Sequence, residues 1–231
     1  ALADPKSTVG KNAVMIDGRI FNVKSDAFYP YLGYECTYYY DEETYELMAL
    51  VPRREVKETV IGNFTGTELE YIDNTIIKYS TGGRIKNIKL DKNTYFIYNG
   101  KAADDAIRSF VTEESFSGNL RVVENRQNQC VIIDDYTNIR IKNFDTMGNM
   151  FTDDLSGKAI YLGNGDSEYA IYKNGVMIDA ALLDSGECAM MYQSKNKTGT
   201  VITRIEADGF KTISGMTERV GEEELIIDGE K

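Results

Sequence analysis

The chain repeats one short pattern: apolar residues, then Asp-Gly or Asn-Gly, then apolar or basic residues. Asp and Asn before Gly tolerate the positive φ angles of a type I′ turn, whose twist matches the two strands that it joins. Each copy therefore predicts the tip of a β-hairpin. The four tips are Asp17-Gly18, Asn99-Gly100, Asn174-Gly175 and Asp228-Gly229.

Between these tips the apolar residues alternate with polar ones or form short runs bounded by turns. Residues 34–40 alternate so that Tyr34, Cys36, Tyr38 and Tyr40 share one face of a strand, which a turn at 41–44 connects to a return strand. Two more hairpins are predicted across Thr81-Gly82-Gly83 and between the apolar runs 120–123 and 130–133.

This patterning predicts an all-β chain of several small antiparallel β-barrel or sandwich-like modules in series. The one short helix is expected at about residues 104–112. We expect a leader (1–12), a first β-module (13–61), a second (62–143), a third (144–207) and the start of a further β-unit (208–231).

The pair Glu-Cys occurs twice in the same setting, as Glu35-Cys36 and Glu187-Cys188. In both copies a hairpin tip, a spacer and a Gly precede the pair, and an apolar strand, a polar turn and an apolar return strand follow it. This internal repeat makes Cys36 and Cys188 equivalent positions, and we expect both thiols to be buried and too far apart to bond. Together with Cys130 there are three cysteines, an odd number that cannot form a complete disulfide framework.

Composition excludes several classes of function. The net charge of −11 disfavours a nucleic acid or an anionic lipid surface as partner. There is no run of eighteen apolar residues, so no membrane span is expected. Histidine is absent, so a triad with an imidazole base or a His-containing zinc site cannot form.

The remaining candidates for chemistry are acidic pairs and exposed tyrosines. Asp104-Asp105, Asp134-Asp135 and Asp153-Asp154 resemble glycosidase or cation-binding carboxylates, but we interpret them as solvated turn residues. In the tyrosine-rich stretch, alternate rings face a core. Contact with a carbohydrate or a protein partner is therefore expected only from Tyr31, Tyr39 and Tyr45.

The runs "VMIDGRIFNV … YLGYECTYYYDEETYELMAL", "YFIYNGKAAD" and "AIYKNGVMIDAALLDSGECAMMYQSK" resemble the repeated extracellular region of large S-layer-homology (SLH) proteins of Gram-positive bacteria. Similar repeats occur in virion proteins of phages that infect such bacteria. The shared motifs are structural, and the SLH anchoring triplet is not in this segment. Where related sequences often carry a DxDGDG turn, residues 124–129 read ENRQNQ, which is a poor calcium loop.

The resemblance implies a non-catalytic structural or assembly module of a large cell-surface protein, located outside the cell. The alternative is a virion component of a tail, a baseplate or a capsid decoration, and a carbohydrate-binding module or a glycoside hydrolase is less favoured. We expect no enzyme activity and no cofactor. The expected partners are other copies, adjacent modules of the same protein, or other surface or virion proteins.

Overall fold

The computed structural model describes residues 12–62, 67–103, 117–126, 128–162, 169–196, 199–207, 217–220 and 225–227. The chain is mostly β-strand, and the described residues contain no helix of seven or more residues, so the predicted all-β class is confirmed. Two short 3₁₀ turns occur, Tyr29–Tyr31 and Ala180–Leu182. The helix expected at 104–112 and the tip at Gly229 lie outside the described residues.

The described strands are, in chain order, β1 (Ala13–Ile16), β2 (Arg19–Asn22), β3 (Cys36–Tyr40), β4 (Leu47–Pro52), β5 (Lys57–Gly62), β6 (Thr67–Ile72), β7 (Ile76–Thr81), β8 (Arg84–Lys89), β9 (Tyr95–Tyr98), β10 (Lys101–Ala102), β11 (Gly118–Glu124), β12 (Gln129–Asp145), β13 (Met150–Asp153), β14 (Ala159–Tyr161), β15 (Ala170–Lys173), β16 (Val176–Ile178), β17 (Cys188–Asn196), β18 (Gly199–Ala207), β19 (Thr217–Val220) and β20 (Leu225–Ile227).

The predicted hairpin tips that fall in the described chain are confirmed. Each is a two-residue loop between antiparallel strands, with positive φ at both of its residues, as a type I′ turn requires. The φ angles are 50° and 76° at Asp17-Gly18, 46° and 81° at Asn99-Gly100, and 51° and 78° at Asn174-Gly175. Gly82-Gly83 forms the same turn between β7 and β8, with φ angles of 53° and 71°.

The strand β12 connects most of the fold. Among the described residues, fourteen strands belong to one sheet, whose main path is β16-β15-β18-β17-β12-β11-β5-β6-β7-β8. The first part of β12 lies between β11 and β9, its middle pairs with β17, and its end pairs with β13. At 17 residues, β12 is long enough to hold these neighbours one after another.

The expectation of purely antiparallel modules is wrong at two places, because β9 pairs with β12 in parallel and β15 pairs with β18 in parallel. Both pairs follow one rule: the first strand of a type I′ hairpin lies beside the second strand of the next hairpin. Parallel neighbours need a long connection, and here the strands between them supply it. The local turn signals in the sequence identify hairpins but not this docking of one hairpin on another.

We call each such set a hairpin pair. Hairpin pair 1 is β1–β2 with β3–β4, pair 2 is β9–β10 with β11–β12, and pair 3 is β15–β16 with β17–β18. Hairpin pair 1 differs from this rule, because its isolated parallel bridge joins Asn22, on the second strand β2, to Glu46, just before β4. Strand β5, which the sequence assigns to the first module, pairs with β6 and β11 of the second. The module limits as domain boundaries stay a prediction.

The cores follow from the alternation of side chains along β12, since successive residues point to opposite faces of a strand. Val131 and Ile133 pack in the cluster with Leu120, Ile77 and Ile61. Ile132, on the opposite face, packs with Leu32 and Ile97, and Ile141 packs with the residues of hairpin pair 3. A separate cluster around Phe21 forms the core of hairpin pair 1.

The repeat around the two Glu-Cys pairs has a structural counterpart. In both copies a type I′ tip, a 3₁₀ turn and a glycine with positive φ precede a strand that begins at the cysteine, and those glycines are Gly33 and Gly186. The expectation that Cys36 and Cys188 are buried is wrong, because both are only half-buried, whereas Cys130 is 1% exposed. The first residue of a strand has neighbours on fewer sides than a residue in its middle. All three thiols are free.

We predict that native protein reacts with a thiol reagent at Cys36 and Cys188, and that Cys130 reacts only on unfolding. Burial raises the pKa of Cys130 to about 12, so at neutral pH its thiolate is rare as well as inaccessible. Peptide mass spectrometry of labelled protein would assign each site. Fast labelling of Cys130 in the native state would contradict the packing of β12 described above.

Candidate functional site: the junction of the hairpin pairs

The three hairpin pairs meet around the segment from Tyr29 to Glu35, which follows β2. We call this segment, together with the side chains that it contacts on β11, β15, β18 and the turn after β11, the junction. Its first residues form the 3₁₀ turn at Tyr29–Tyr31, with Pro30 inside the turn. Just before it, Ser25 bridges to Val176 and the backbone N–H of Asp26 donates to the carbonyl oxygen of Gly175 at 3.4 Å.

At the centre of the junction lies the guanidinium of Arg204, on β18. Arg204 is 5% exposed, and its guanidinium carbon lies 4.0 Å from the ring centre of Tyr29 and 3.8 Å from that of Tyr192. Its Nε atom is 2.8 Å from Oε1 of Glu206, whose Oε2 accepts a hydrogen bond of 2.7 Å from the Tyr192 hydroxyl. A buried charge of this kind is tolerated because it is paired and stacked.

The electrostatics hold this cluster in one protonation state. Burial acts to lower the pKa of Arg204, but the Glu206 carboxylate, with Tyr192 and Tyr29, raises it above its usual value. Burial is also the main cause that raises the pKa of Tyr192. Both pKa values are thus moved further above neutral pH, whereas a general acid or base works best with a pKa near the operating pH. The arrangement favours a structural role for these side chains.

A second buried network lies on β12, where Asp135 is 6% exposed. Its carboxylate accepts hydrogen bonds from the Tyr98 hydroxyl at 2.7 Å and from the backbone N–H of Ser117 at 3.1 Å. The side chain of Asn99, in a type I′ tip, binds the backbone of Asp135 twice: its Oδ1 accepts from the N–H at 2.8 Å, and its Nδ2 donates to the carbonyl at 3.1 Å. These bonds fix the β9–β10 tip onto β12.

The interpretation of the acidic pairs as solvated turn residues needs correction at two of them. Asp134 and Asp135 lie within β12, and Asp134 accepts a hydrogen bond from Nε of Arg121 at 3.2 Å. Asp153 begins a turn but is only 4% exposed, because its carboxylate caps the turn by accepting from the backbone of Leu155 and of Ser156. The pair Asp104-Asp105 lies outside the described residues.

Burial acts to raise the pKa of Asp153. The hydrogen bonds from Ser156, Arg140 and Leu155 outweigh burial, so this pKa lies below its usual range. In the described chain no group of three or more His, Cys, Asp or Glu residues could hold a metal ion.

The turn after β11 holds the segment of the junction in place. The Asn125 side chain donates to the carbonyl oxygen of Gly33 at 2.8 Å and accepts from the backbone N–H of Glu35 at 2.8 Å. Arg121 adds a hydrogen bond of 2.9 Å from Nη1 to the carbonyl oxygen of Pro30. An amide and a guanidinium thus satisfy backbone groups of the segment.

The three tyrosines expected to contact a partner are not brought together. Tyr39 is 57% exposed on β3, and Tyr45, 53% exposed, stacks on Tyr40 with ring centres 6.2 Å apart. Tyr31 is half-buried, and its ring meets that of Tyr34 edge-on. Among the described rings, no contact joins any two of these three tyrosines. A single stacking platform for a sugar is therefore not formed, and a partner contact at each residue stays a prediction.

Sequence reasoning missed Arg204, Tyr29 and Asn99. A usable signal exists for Arg204, because it lies beside the apolar residue Ile205 inside a strand that also holds Glu206. A charge in such a strand indicates a buried pair or an exposed face. Tyr29 and Asn99 carry no comparable signal, since one lies in a spacer and the other is explained by its turn.

Comparison with known proteins adds no identity. No protein-family model matches the chain, and no curated protein sequence matches it. Within the described residues, no helix is long and apolar enough to cross a membrane.

We predict that Arg204→Met destabilises the protein by about 3–5 kcal/mol, since it leaves the Glu206 carboxylate buried without its partner. The double variant Arg204→Met, Glu206→Gln should recover part of this loss, because it removes the unpaired charge while the Gln oxygen still accepts from Tyr192. Urea unfolding measures both, with the exposed Arg19→Met as control, expected within about 0.5 kcal/mol of wild type. Equal losses in the single and the double variant would contradict the ion-pair argument.

We also predict that Gly33→Ala is more harmful than Gly186→Ala, its counterpart in the repeat. Their φ angles are 79° and 86°, so both variants incur the left-handed backbone cost of about 1–2 kcal/mol. A Cβ at Gly33 would lie 2.9 Å from Cβ of Cys130, whereas a Cβ at Gly186 meets nothing within 4 Å.

Overpacking adds about 1–3 kcal/mol, which only Gly33→Ala should show. The difference between the two variants in the free energy of unfolding is the measurement. Equal destabilisation would mean that the segment does not pack tightly on β12.

Proposed function

We propose that this chain is a non-catalytic structural and assembly unit of a large cell-surface protein, located outside the cell. The observation that carries the proposal is the use of the polar side chains at the junction, where Arg204 is buried and Asn125 and Arg121 are half-buried. Arg204, Asn125 and Arg121 all contact the segment Tyr29–Glu35. They join one hairpin pair to the next.

The resemblance of the repeated motifs to the extracellular region of SLH proteins supports the same role. A spacer or assembly unit needs successive modules that keep a fixed relation, which the junction supplies through packing and hydrogen bonds. It also needs surfaces for contact with adjacent modules or other copies. Exposed apolar side chains such as Tyr39, Met48 and Val51, which are 57%, 65% and 51% exposed on the hairpin β3–β4, offer such a surface.

The proposal predicts that an antibody against this chain labels intact, unpermeabilised cells of the source organism, and that brief protease treatment of the cells removes the label. A cytoplasmic protein probed in the same cells is the control for permeability. Label that appears only after permeabilisation, or only on phage particles, would contradict a cell-surface location. Turnover of cell-wall polysaccharide by the purified chain would contradict a non-catalytic role.

A further inference from the structure

Strands β8 and β3 are two of the described strands that pair on one side only, and the residues around them carry opposite charges. Strand β8 ends the main path of the large sheet and pairs with β7 alone, while β3 belongs to a two-stranded sheet and pairs with β4 alone. An open edge presents backbone N–H and C=O groups that another strand can bind. At the opposite end of the same path, by contrast, β16 is bridged by Ser25.

The open edge of β8 is basic. Arg84, Lys86 and Lys89 are all exposed, and none of them has an ion-pair partner among the described residues. From Asn74 to Leu90 the sequence has four basic residues and no acidic one, in a chain whose net charge is −11. This strand is therefore a local basic region on an acidic protein.

The open edge of β3 is bounded by acidic residues at both ends. Glu35 precedes the strand, and Asp41, Glu42 and Glu43 follow it, the last three exposed. Hydrogen bonds from the backbone and hydroxyl of Thr44 lower the pKa of Asp41, which keeps this carboxylate charged at neutral pH. With five residues, β3 nearly matches the six of β8.

We propose that β3 of one copy pairs with β8 of a second copy, so that the chains associate head to tail. Charge selects this pairing, because β8 beside β8 or β3 beside β3 would place like charges next to each other, which is unfavourable. Glu35 is ion-paired with Arg53, so the negative charge of β3 lies mainly at its end, in Asp41, Glu42 and Glu43. Because β8 carries a basic residue at each end, Arg84 and Lys89, this acidic end meets a basic end in either strand direction. Such a heterologous contact extends into a filament or closes into a ring.

This inference rests on the proposed assembly role but is tested separately from it. Sedimentation velocity of wild-type protein at low ionic strength should show larger species as concentration rises, and added salt should reduce them, since salt screens exposed charges. Two double variants each reverse the charges at one edge: Lys86→Glu, Lys89→Glu at β8, and Glu42→Lys, Glu43→Lys after β3. Each should abolish this association. The variant that carries all four substitutions should recover it, because the charges are again opposite.

The variant Lys142→Glu, Lys158→Glu is the control for Lys86→Glu, Lys89→Glu, because it makes the same change in net charge at exposed positions outside β3 and β8. It should associate as wild type does. Circular dichroism would show that each variant keeps its fold.

A wild-type chain that stays monomeric at every concentration would overturn the pairing. So would association that persists in both single-edge variants, or that is lost equally in the control. None of these results would affect the cell-surface labelling, so failure of the pairing and failure of the proposed function are distinguishable.

Discussion

The cost of removing a guanidinium from water determines how the hairpin pairs meet. Arg204 lies almost fully inside the protein, and a buried cation is stable only when its charge and its flat faces are matched. Glu206 provides the charge, Tyr192 one face and Tyr29 the other. Tyr29 belongs to the segment after β2, whereas Arg204 lies on β18. The stacking of Tyr29 on the Arg204 guanidinium therefore requires the first hairpin pair to lie against the third.

The remaining contacts of the junction reinforce this placement by packing. Gly33 lies so close to Cys130 that a side chain would not fit, and Leu32 packs with Ile132 and Val123. The segment therefore packs closely against β12 on one side and contacts the charged Arg204 on the other. Its backbone groups form no ladder of their own. Local backbone hydrogen bonds satisfy some of them, and Asn125 and Arg121 satisfy the N–H of Glu35 and the carbonyl oxygens of Gly33 and Pro30.

The sequence predicts the local architecture well, because type I′ turns depend on two adjacent residues. The tips at Gly18, Gly100 and Gly175 and the hairpin β11–β12 follow directly from it. The parallel contacts of β9 with β12 and of β15 with β18 could not be read in this way, because they depend on residues far apart in the chain. The acidic pair on β12 was misplaced for a different reason: carboxylates favour turns on average, and only the apolar run around Asp134 and Asp135 shows that they lie in a strand.

The junction was not predictable for the same reason. It joins Tyr29, Asn125 and Arg204, three residues in different predicted modules, and each has an ordinary local explanation in a spacer, a turn or a strand. Gly33 is singled out by the internal repeat, as the glycine before Glu35-Cys36, but its positive φ and its packing on Cys130 are seen only in the structure.

The length of β12 has a mechanical consequence. Hydrogen bonds between antiparallel strands run perpendicular to the strand direction, so a force that pulls along β12 loads its bonds to β11 and β17 together, in shear. A force that peeled a hairpin from its tip would break them one at a time. A single continuous strand that is paired with successive neighbours along its 17 residues therefore resists extension as one element.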